Sequence, residues 1–376
     1  MNTNYKLSGT PNSPVLIFSN SLGSTYEMWD ELVPLLEPYF RVLQYDTRGH
    51  GGSDKPEGPY SIEMLGKDVL GLMDQLGVEK AYFCGLSMGG LIGQWLGIHA
   101  GDRFHKIVLS NTAAKIGDMD KWQERIDLLA KGGMPSIVEA TMDKWYTPTY
   151  RNDNPEAIEK SKAMFLSSEV AGYSSCCHAI GGADFRNDLS KIVTPTLVIT
   201  GDDDPVTNVV HAEFLAEKIT DARLKVLSGR HLVSAEIPRQ YAEALLDFFI
   251  GMSTFDRGMH VRETVLGIEH LSKIKGKTNA FTDAFQELIA NVPWGKVWTR
   301  PGLKKKERSF ITLSAMIAMG KEEEFKMHVR AAFNNGVTVE ELKELILQTA
   351  IYCGFPAAYG AYRAAEEILN EKGIKY

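Results

Sequence analysis

Cysteine is scarce in this 376-residue chain. The four present (Cys84, Cys176, Cys177 and Cys353) form neither a C-x-x-C pair nor a zinc-like group with histidine. That excludes a disulfide-stapled mini-protein and makes free thiols in a reducing compartment the simplest expectation. A basic excess is missing too: 41 Lys+Arg against 48 Asp+Glu give a net charge of -7, the wrong sign for a protein that neutralises nucleic-acid phosphates. The opening residues, MNTNYKLSGT, lack the apolar core of a secretory leader. One uncharged stretch, Leu345–Tyr362, has the length of a membrane span, but Gly354 and Pro356 break it near its middle. It reads as two packed helices. The expectation is a soluble, cytoplasmic protein with neither nucleic-acid nor membrane partners.

What is present is an ordinary globular composition, 44% hydrophobic and 24% charged. The length suits two or three domains at about 150 residues each. The charge is uneven: residues 1–251 hold 23 basic and 33 acidic side chains, residues 252–376 hold 18 and 15. Such a step suggests two units of different history.

From residue 13 onward, apolar β-rich runs alternate with helical stretches. The runs are Val15–Ser19, Arg41–Tyr45, Ala81–Gly85, Lys106–Ser110, Thr196–Thr200 and Leu224–Leu227. Several are nearly all apolar, as expected of parallel strands covered on both faces, and the alternation implies an α/β sheet with crossover helices. Functional loops then belong at the carboxyl ends of the strands. There, Gly85-Leu86-Ser87-Met88-Gly89 fits a G-x-S-x-G turn between a strand and a helix. A turn so sharp leaves no room for side chains at Gly85 and Gly89, and it presents the Ser87 hydroxyl above the sheet.

A serine hydroxyl needs a base to take its proton and a carboxylate to orient that base, in the chain order Ser, acid, His. Asp204, before Pro205 at the end of the run Thr196–Thr200, is the best-placed acid; Asp202 and Asp203 fit turn roles. His231, after the last strand, is the base. Leu22, in the loop Ser19–Gly23, and Met88 are the expected N–H donors to a tetrahedral oxyanion. The turn Asp46–Asp54, with His50 among glycines, reads as a support for the site.

These residues resemble the α/β-hydrolase family, and within it the 3-oxoadipate enol-lactonase branch. The resemblance rests on SNSLG at 19–23, DTRGHGGSD at 46–54 and GLSMGG at 85–90 and covers about residues 4–250. It implies an α/β hydrolase fold over 1–251, with a helical cap at about 112–190. It also implies a lactone whose free carboxylate needs a cation. Arg125, Lys144, Arg151 and Arg186 are candidates, and Trp145 is a candidate contact from the cap.

Beyond Gly251-Met252 the strand alternation stops. Helices are expected around 257–272, 279–291, 305–319, 321–334, 339–352 and 356–371. In the helix over 322–334, Phe325, His328, Val329 and Ala332 share a face and Glu324 lies one turn before His328. By periodicity alone this fits a core histidine satisfied by a glutamate. FDRGMHVRETVLG at 255–267, WGKVWTRPGL at 294–303, MHVRAAFNNG at 327–336 and LQTAIYCGFPAAYGAYR at 347–363 are similar to the 4-carboxymuconolactone decarboxylase family. The resemblance implies an all-α, AhpD-like domain over 252–376. The cysteine pair of that fold's peroxidase branch is replaced here by Lys321 and Glu324.

The substrate implied by this resemblance carries its departing carboxylate γ to the lactone carbonyl, across a C=C bond. The lactone is thus its own electron sink, and no cofactor is expected. His328 is the expected proton donor, with Glu324 setting its tautomer. Arg300, Arg308 and Arg330 are carboxylate candidates, and Trp294, Trp298 and Tyr352 candidate pocket walls. The two resemblances together imply successive reactions on small-molecule lactones, in a homo-oligomer assembled through the helical domain. The alternative is a serine esterase or perhydrolase carrying a non-catalytic oligomerisation module.

Overall fold

A computed structural model describes residues 2–267, 271–272, 279, 281–300 and 302–374. The chain divides into two compact units, Met1–Gly251 and Met252–Tyr376. The division falls at a helix stop followed by a helix start. Gly251 closes a helix in the left-handed conformation (φ 65°). Ser253 then opens the next with a capping box to Asp256, so the backbone is punctuated on both sides of the junction.

The first unit is built on a seven-stranded sheet: β1 (Tyr5–Gly9), β2 (Val15–Ser19), β3 (Arg41–Tyr45), β4 (Ala81–Leu86), β5 (Phe104–Ser110), β6 (Thr196–Gly201) and β7 (Ala222–Leu227). Their order is β1-β3-β2-β4-β5-β6-β7. All pairings are parallel except β1 with β3. The six expected runs match β2 to β7. The antiparallel edge strand β1 went unforeseen because its sequence, YKLSG, is half polar and mostly solvent-facing, so it lacks the apolar signal of a covered strand.

Helices α1 (Ile62–Gln75) and α2 (Met88–His99) flank the strands around the elbow. Five helices fill the interval between β5 and β6: α3 (Met119–Gly132), α4 (Val138–Trp145), α5 (Pro148–Asp153), α6 (Pro155–Leu166) and α7 (Val170–Gly181). Helices α8 (Val209–Lys218), α9 (Val233–Glu236) and α10 (Pro238–Ile250) complete the unit. The inserted cap has its own core, including Met142, Trp145, Phe165, Tyr173, Cys176 and Cys177. It also touches the β2 loop closely: a Cβ at Gly23 would meet the Phe165 ring at 2.6 Å and Tyr173 at 2.8 Å.

The described part of the second unit is helical: α11 (Thr254–Leu266), α12 (Asp283–Ile289, continuing as a π-helix over Ala290–Trp298), α13 (Lys305–Met319), α14 (Glu322–Asn334), α15 (Val339–Cys353) and α16 (Phe355–Glu371). The expected helix at 257–272 runs partly over residues outside the described ones, as does Pro301 of the motif at 294–303. The segment around 291 was expected to end a plain α-helix. It widens to π geometry instead, over a stretch that contains Pro293, whose ring cannot enter the i→i−4 ladder. One core cluster joins α13 to α16 through Leu313, Phe325, Val329, Leu342 and Ile368. A second joins Val265, Leu266, Trp294 and Ala331. Among the described residues no helix is long and apolar enough to cross a membrane.

Candidate active sites

Ser87 stands between β4 and α2 with φ 58° and ψ −111°, a conformation that few non-glycine residues adopt. Its surroundings hold it there. A Cβ at Gly85 would lie 2.0 Å from the Gly89 carbonyl oxygen, and one at Gly89 2.2 Å from that of Ser19. Ser87 N–H donates to Ser110 O (2.9 Å) and Gly89 N–H to Asn20 O (3.0 Å). Thr112 Oγ1 donates to Ser87 O at 2.9 Å.

His231 Nδ1 lies 2.9 Å from Asp204 Oδ2, with both side chains almost wholly buried. The carboxylate is fully engaged. Oδ1 accepts the N–H groups of Val206 (2.8 Å) and Thr207 (3.1 Å). Oδ2 also accepts Asn111 Nδ2 (2.9 Å) and Thr207 Oγ1 (2.8 Å). Burial alone would raise this carboxyl. The facing imidazole and the hydrogen bonds from His231, Asn111 and Val206 outweigh it and hold Asp204 well below the usual carboxylate range. Asp202 Oδ1 accepts Gly229 N–H at 3.0 Å, and Asp203 Oδ2 accepts Arg230 Nε at 2.7 Å, so the neighbouring acids fasten the histidine loop.

Asn111 escaped the sequence reading. It follows β5 at φ 43°, fully buried, and its amide donates both to Asp204 and to Arg230 O (3.2 Å). Ser110, the acceptor for Ser87 N–H, precedes it. The Ser110-Asn111 pair therefore links the nucleophile's turn to the acid and to the residue before the base. The available signal was a polar Ser-Asn-Thr run closing an apolar strand, with asparagine the residue that best tolerates positive φ.

Leu22 and Met88 are buried. Among the described residues neither backbone N–H has a hydrogen-bond acceptor. The cap places Trp145 in its core, with Trp145 O accepting Leu232 N–H beside His231 at 3.0 Å. Arg125 lies across α3, α4 and α7: its Nε and Nη2 donate to Tyr173 Oη (2.9 and 2.7 Å) and Nη2 to Thr141 Oγ1 (3.0 Å). Desolvation, then the neighbouring Arg125 charge, lowers the Lys144 amine below its ordinary range. Arg151 is paired with Asp143 and Arg186 with Asp184. Among the described residues Arg125 and Lys144 have no carboxylate partner, so the four candidates separate into two occupied and two available.

In the second unit the candidates are dispersed. His328 is half-buried on α14, one turn before Ala331 of the cluster that contains Trp294. Glu324, one turn before His328, is exposed. Arg330 is held by Glu371. Arg308 donates from Nη2 to Arg300 O at 2.8 Å while its Nε is buried without a partner. Desolvation and the Arg300 charge lower the Arg308 guanidinium. Trp294 and Trp298 pack ring against ring at 4.9 Å, Trp294 in the core, while Tyr352 is 79% exposed.

A strained serine at a strand–helix elbow, on a mixed sheet with a helical cap, belongs to the α/β-hydrolase class. Residues 14–236 match the alpha/beta hydrolase fold family and residues 283–367 the carboxymuconolactone decarboxylase family; the chain belongs to both. It is 43% identical over 242 residues to 3-oxoadipate enol-lactonase 2 of Acinetobacter baylyi, covering 64% of this chain and 91% of that protein. It is 45% identical over 120 residues to 4-carboxymuconolactone decarboxylase of the same organism, covering 32% of this chain and 90% of that one. Among solved structures it is similar to the enol-lactonase of Burkholderia xenovorans LB400, with a TM-score of 0.65 and 39% identity over 65% of this chain and 95% of that one.

Proposed function

We propose that the chain is a bifunctional enzyme of protocatechuate (β-ketoadipate) breakdown, acting in the cytoplasm. The helical unit decarboxylates 4-carboxymuconolactone to 3-oxoadipate enol-lactone, and the hydrolase unit opens that lactone to 3-oxoadipate. The observation that carries this reading is the joining, in one chain, of near full-length counterparts of an enol-lactonase and a carboxymuconolactone decarboxylase. The product of one reaction is the substrate of the other.

In the hydrolase unit, Ser87 Oγ attacks the lactone carbonyl as His231 takes its proton, and Leu22 and Met88 N–H receive the developing oxyanion. The carbonyl–ring oxygen bond breaks and His231 returns the proton to the enolate oxygen. A water deprotonated by the same imidazole then splits the acyl-enzyme. Asp204, held ionised by five hydrogen bonds, keeps His231 in the required tautomer. Arg125 and Lys144 bind the free carboxylate of the acetate arm.

In the helical unit, the C–C bond to the departing carboxylate breaks and its electron pair passes through the C=C bond onto the lactone carbonyl. His328 then protonates the α carbon. The adjacent Arg300 and Arg308, unlike Arg330, retain charge for the substrate carboxylates. The unit assembles into a homo-oligomer through Leu347, Ile351, Tyr352, Phe355, Tyr359 and Tyr362, each about half exposed or more on α15 and α16. The experiment is to supply 4-carboxymuconolactone to the purified chain and follow carbon dioxide and 3-oxoadipate together. Equimolar formation of both is expected. Ester hydrolysis without carbon dioxide release would instead leave the helical unit as an oligomerisation module.

A further inference from the structure

The hydrolytic steps make no use of His50, although it is only 1% exposed and touches the loop that carries Leu22. Its Nε2 accepts the Gly23 N–H at 3.0 Å. A ring nitrogen that accepts is unprotonated, so the proton of the neutral ring sits on Nδ1. Nδ1 faces Arg48 O at 3.4 Å and Cys176 Sγ at 3.9 Å. Leu22 and Gly23 have consecutive peptide groups, so the direction of one N–H follows from where the next is fastened. On its other side Gly23 is wedged against Phe165 and Tyr173 of the cap.

The turn that bears His50 is itself rigid. The Asp46 carboxylate accepts Tyr26 N–H (2.8 Å), Asn4 Nδ2 (2.7 Å) and Gly52 N–H (2.9 Å). Ser53 Oγ donates to Asp46 O at 2.6 Å, and Arg48 forms a two-pronged pair with Asp68. Around the imidazole, the turn contributes Asp46, Arg48 and Lys55, the last paired with Glu169. The cap contributes Tyr173 and Cys176, and the loop Ser19–Ser24 contributes no charged residue.

We propose that His50 is a positioning residue for the oxyanion hole: as a neutral acceptor it anchors Gly23 N–H and thereby aims Leu22 N–H at the tetrahedral oxygen formed on Ser87. A proton on Nε2 would set donor against donor at Gly23. Burial pushes the imidazole down to about 4, against the pull of the Arg48 carbonyl and Asp46, so the acceptor form persists across the neutral range. This inference rests on the hydrolase reading but not on the identity of the lactone.

The test uses the full-length chain with His50→Leu, which removes the acceptor, and His50→Gln, whose side-chain oxygen reaches the Nε2 position. Turnover of p-nitrophenyl acetate is followed together with the affinity of an arylboronic acid, whose serine adduct places an oxygen in the hole. His50→Leu is expected to lower kcat about 10- to 100-fold, with KM within about threefold and boronate affinity falling in step with kcat. His50→Gln restores most of both. In the wild type, ¹⁵N NMR at pH 7 places the proton on Nδ1. Unchanged kcat in His50→Leu, equal losses in the two variants, or a proton on Nε2 overturns the proposal. If His50→Leu fails to fold, His50→Gln and the NMR signature still decide. Inactivity on enol-lactone with activity on the aryl ester defeats the substrate reading alone.

Discussion

The two units solve the problem of holding reactive groups in opposite ways. In the hydrolase unit, residues far apart in sequence converge at strand ends: Asn111, Asp204 and His231 come from three different connections and share one carboxylate. In the helical unit, the candidate groups lie along helices, Arg330 is spent on a surface ion pair with Glu371, and large apolar side chains remain outside. A mostly parallel sheet gathers its loops at one edge. A small helical unit offers faces, and large apolar side chains stay exposed along the row from Leu347 to Tyr362. The lesson is that site density and surface apolarity run in opposite directions in this molecule.

The sharpest way to break that comparison is a crossed pair of variants. Ser87→Ala is expected to cut enol-lactone hydrolysis by at least about 10⁴-fold while carbon dioxide release continues and the lactone accumulates. His328→Gln is expected to slow decarboxylation by about 10²–10⁴-fold with hydrolysis intact. Near-normal decarboxylation in His328→Gln would remove that residue from the mechanism. Next in size is Arg125→Met. It should raise KM for the enol-lactone about 10- to 100-fold, the value of a charge-assisted contact, and leave a neutral aryl ester within about twofold. Equal effects on both substrates would make Arg125 a cap-packing residue only.

Acid titration sharpens the contrast at the level of stability. His50 is held at about 4 in the folded hydrolase unit against about 6.5 unfolded. Between these values the unfolded chain binds the extra proton. Stability is therefore full above about 6.5 and declines by up to about 3 kcal/mol as the pH approaches 4. Asp204, depressed in the folded state, adds its own loss below about 4. The melting transition of the hydrolase unit should fall steeply from pH 6.5 to 4, and His50→Gln should flatten that part of the curve. The smallest effect on chemistry is expected from Ile351→Lys. It should lower the assembly's mass by light scattering while aryl ester turnover stays within about twofold; an unchanged mass would place the interface elsewhere.

Much of this was legible in the chain itself. Ser87, between two glycines, follows an apolar strand and precedes a helix, and local sterics leave such a turn few conformations. The helical periods of the last third are equally local. The edge strand Tyr5–Gly9 was hidden because an exposed strand need not be apolar, and the π-helical widening over Ala290–Trp298 lies beyond what a periodicity count resolves.

What the sequence by itself determined is therefore the alternation of β2 to β7 with helices, the division near Gly251 and the sharp turn that carries Ser87. These follow from short-range sterics and from apolar patterning. The tertiary structure decided which like-charged residues are free and which are spent, since Arg151 and Arg186 found acids where Arg125 found Tyr173. It also decided that Asn111 serves Asp204 across 93 residues and that His50 faces Gly23. Hydrogen-bond partnership is set by distances of a few ångströms between segments remote in sequence, and no local pattern encodes it.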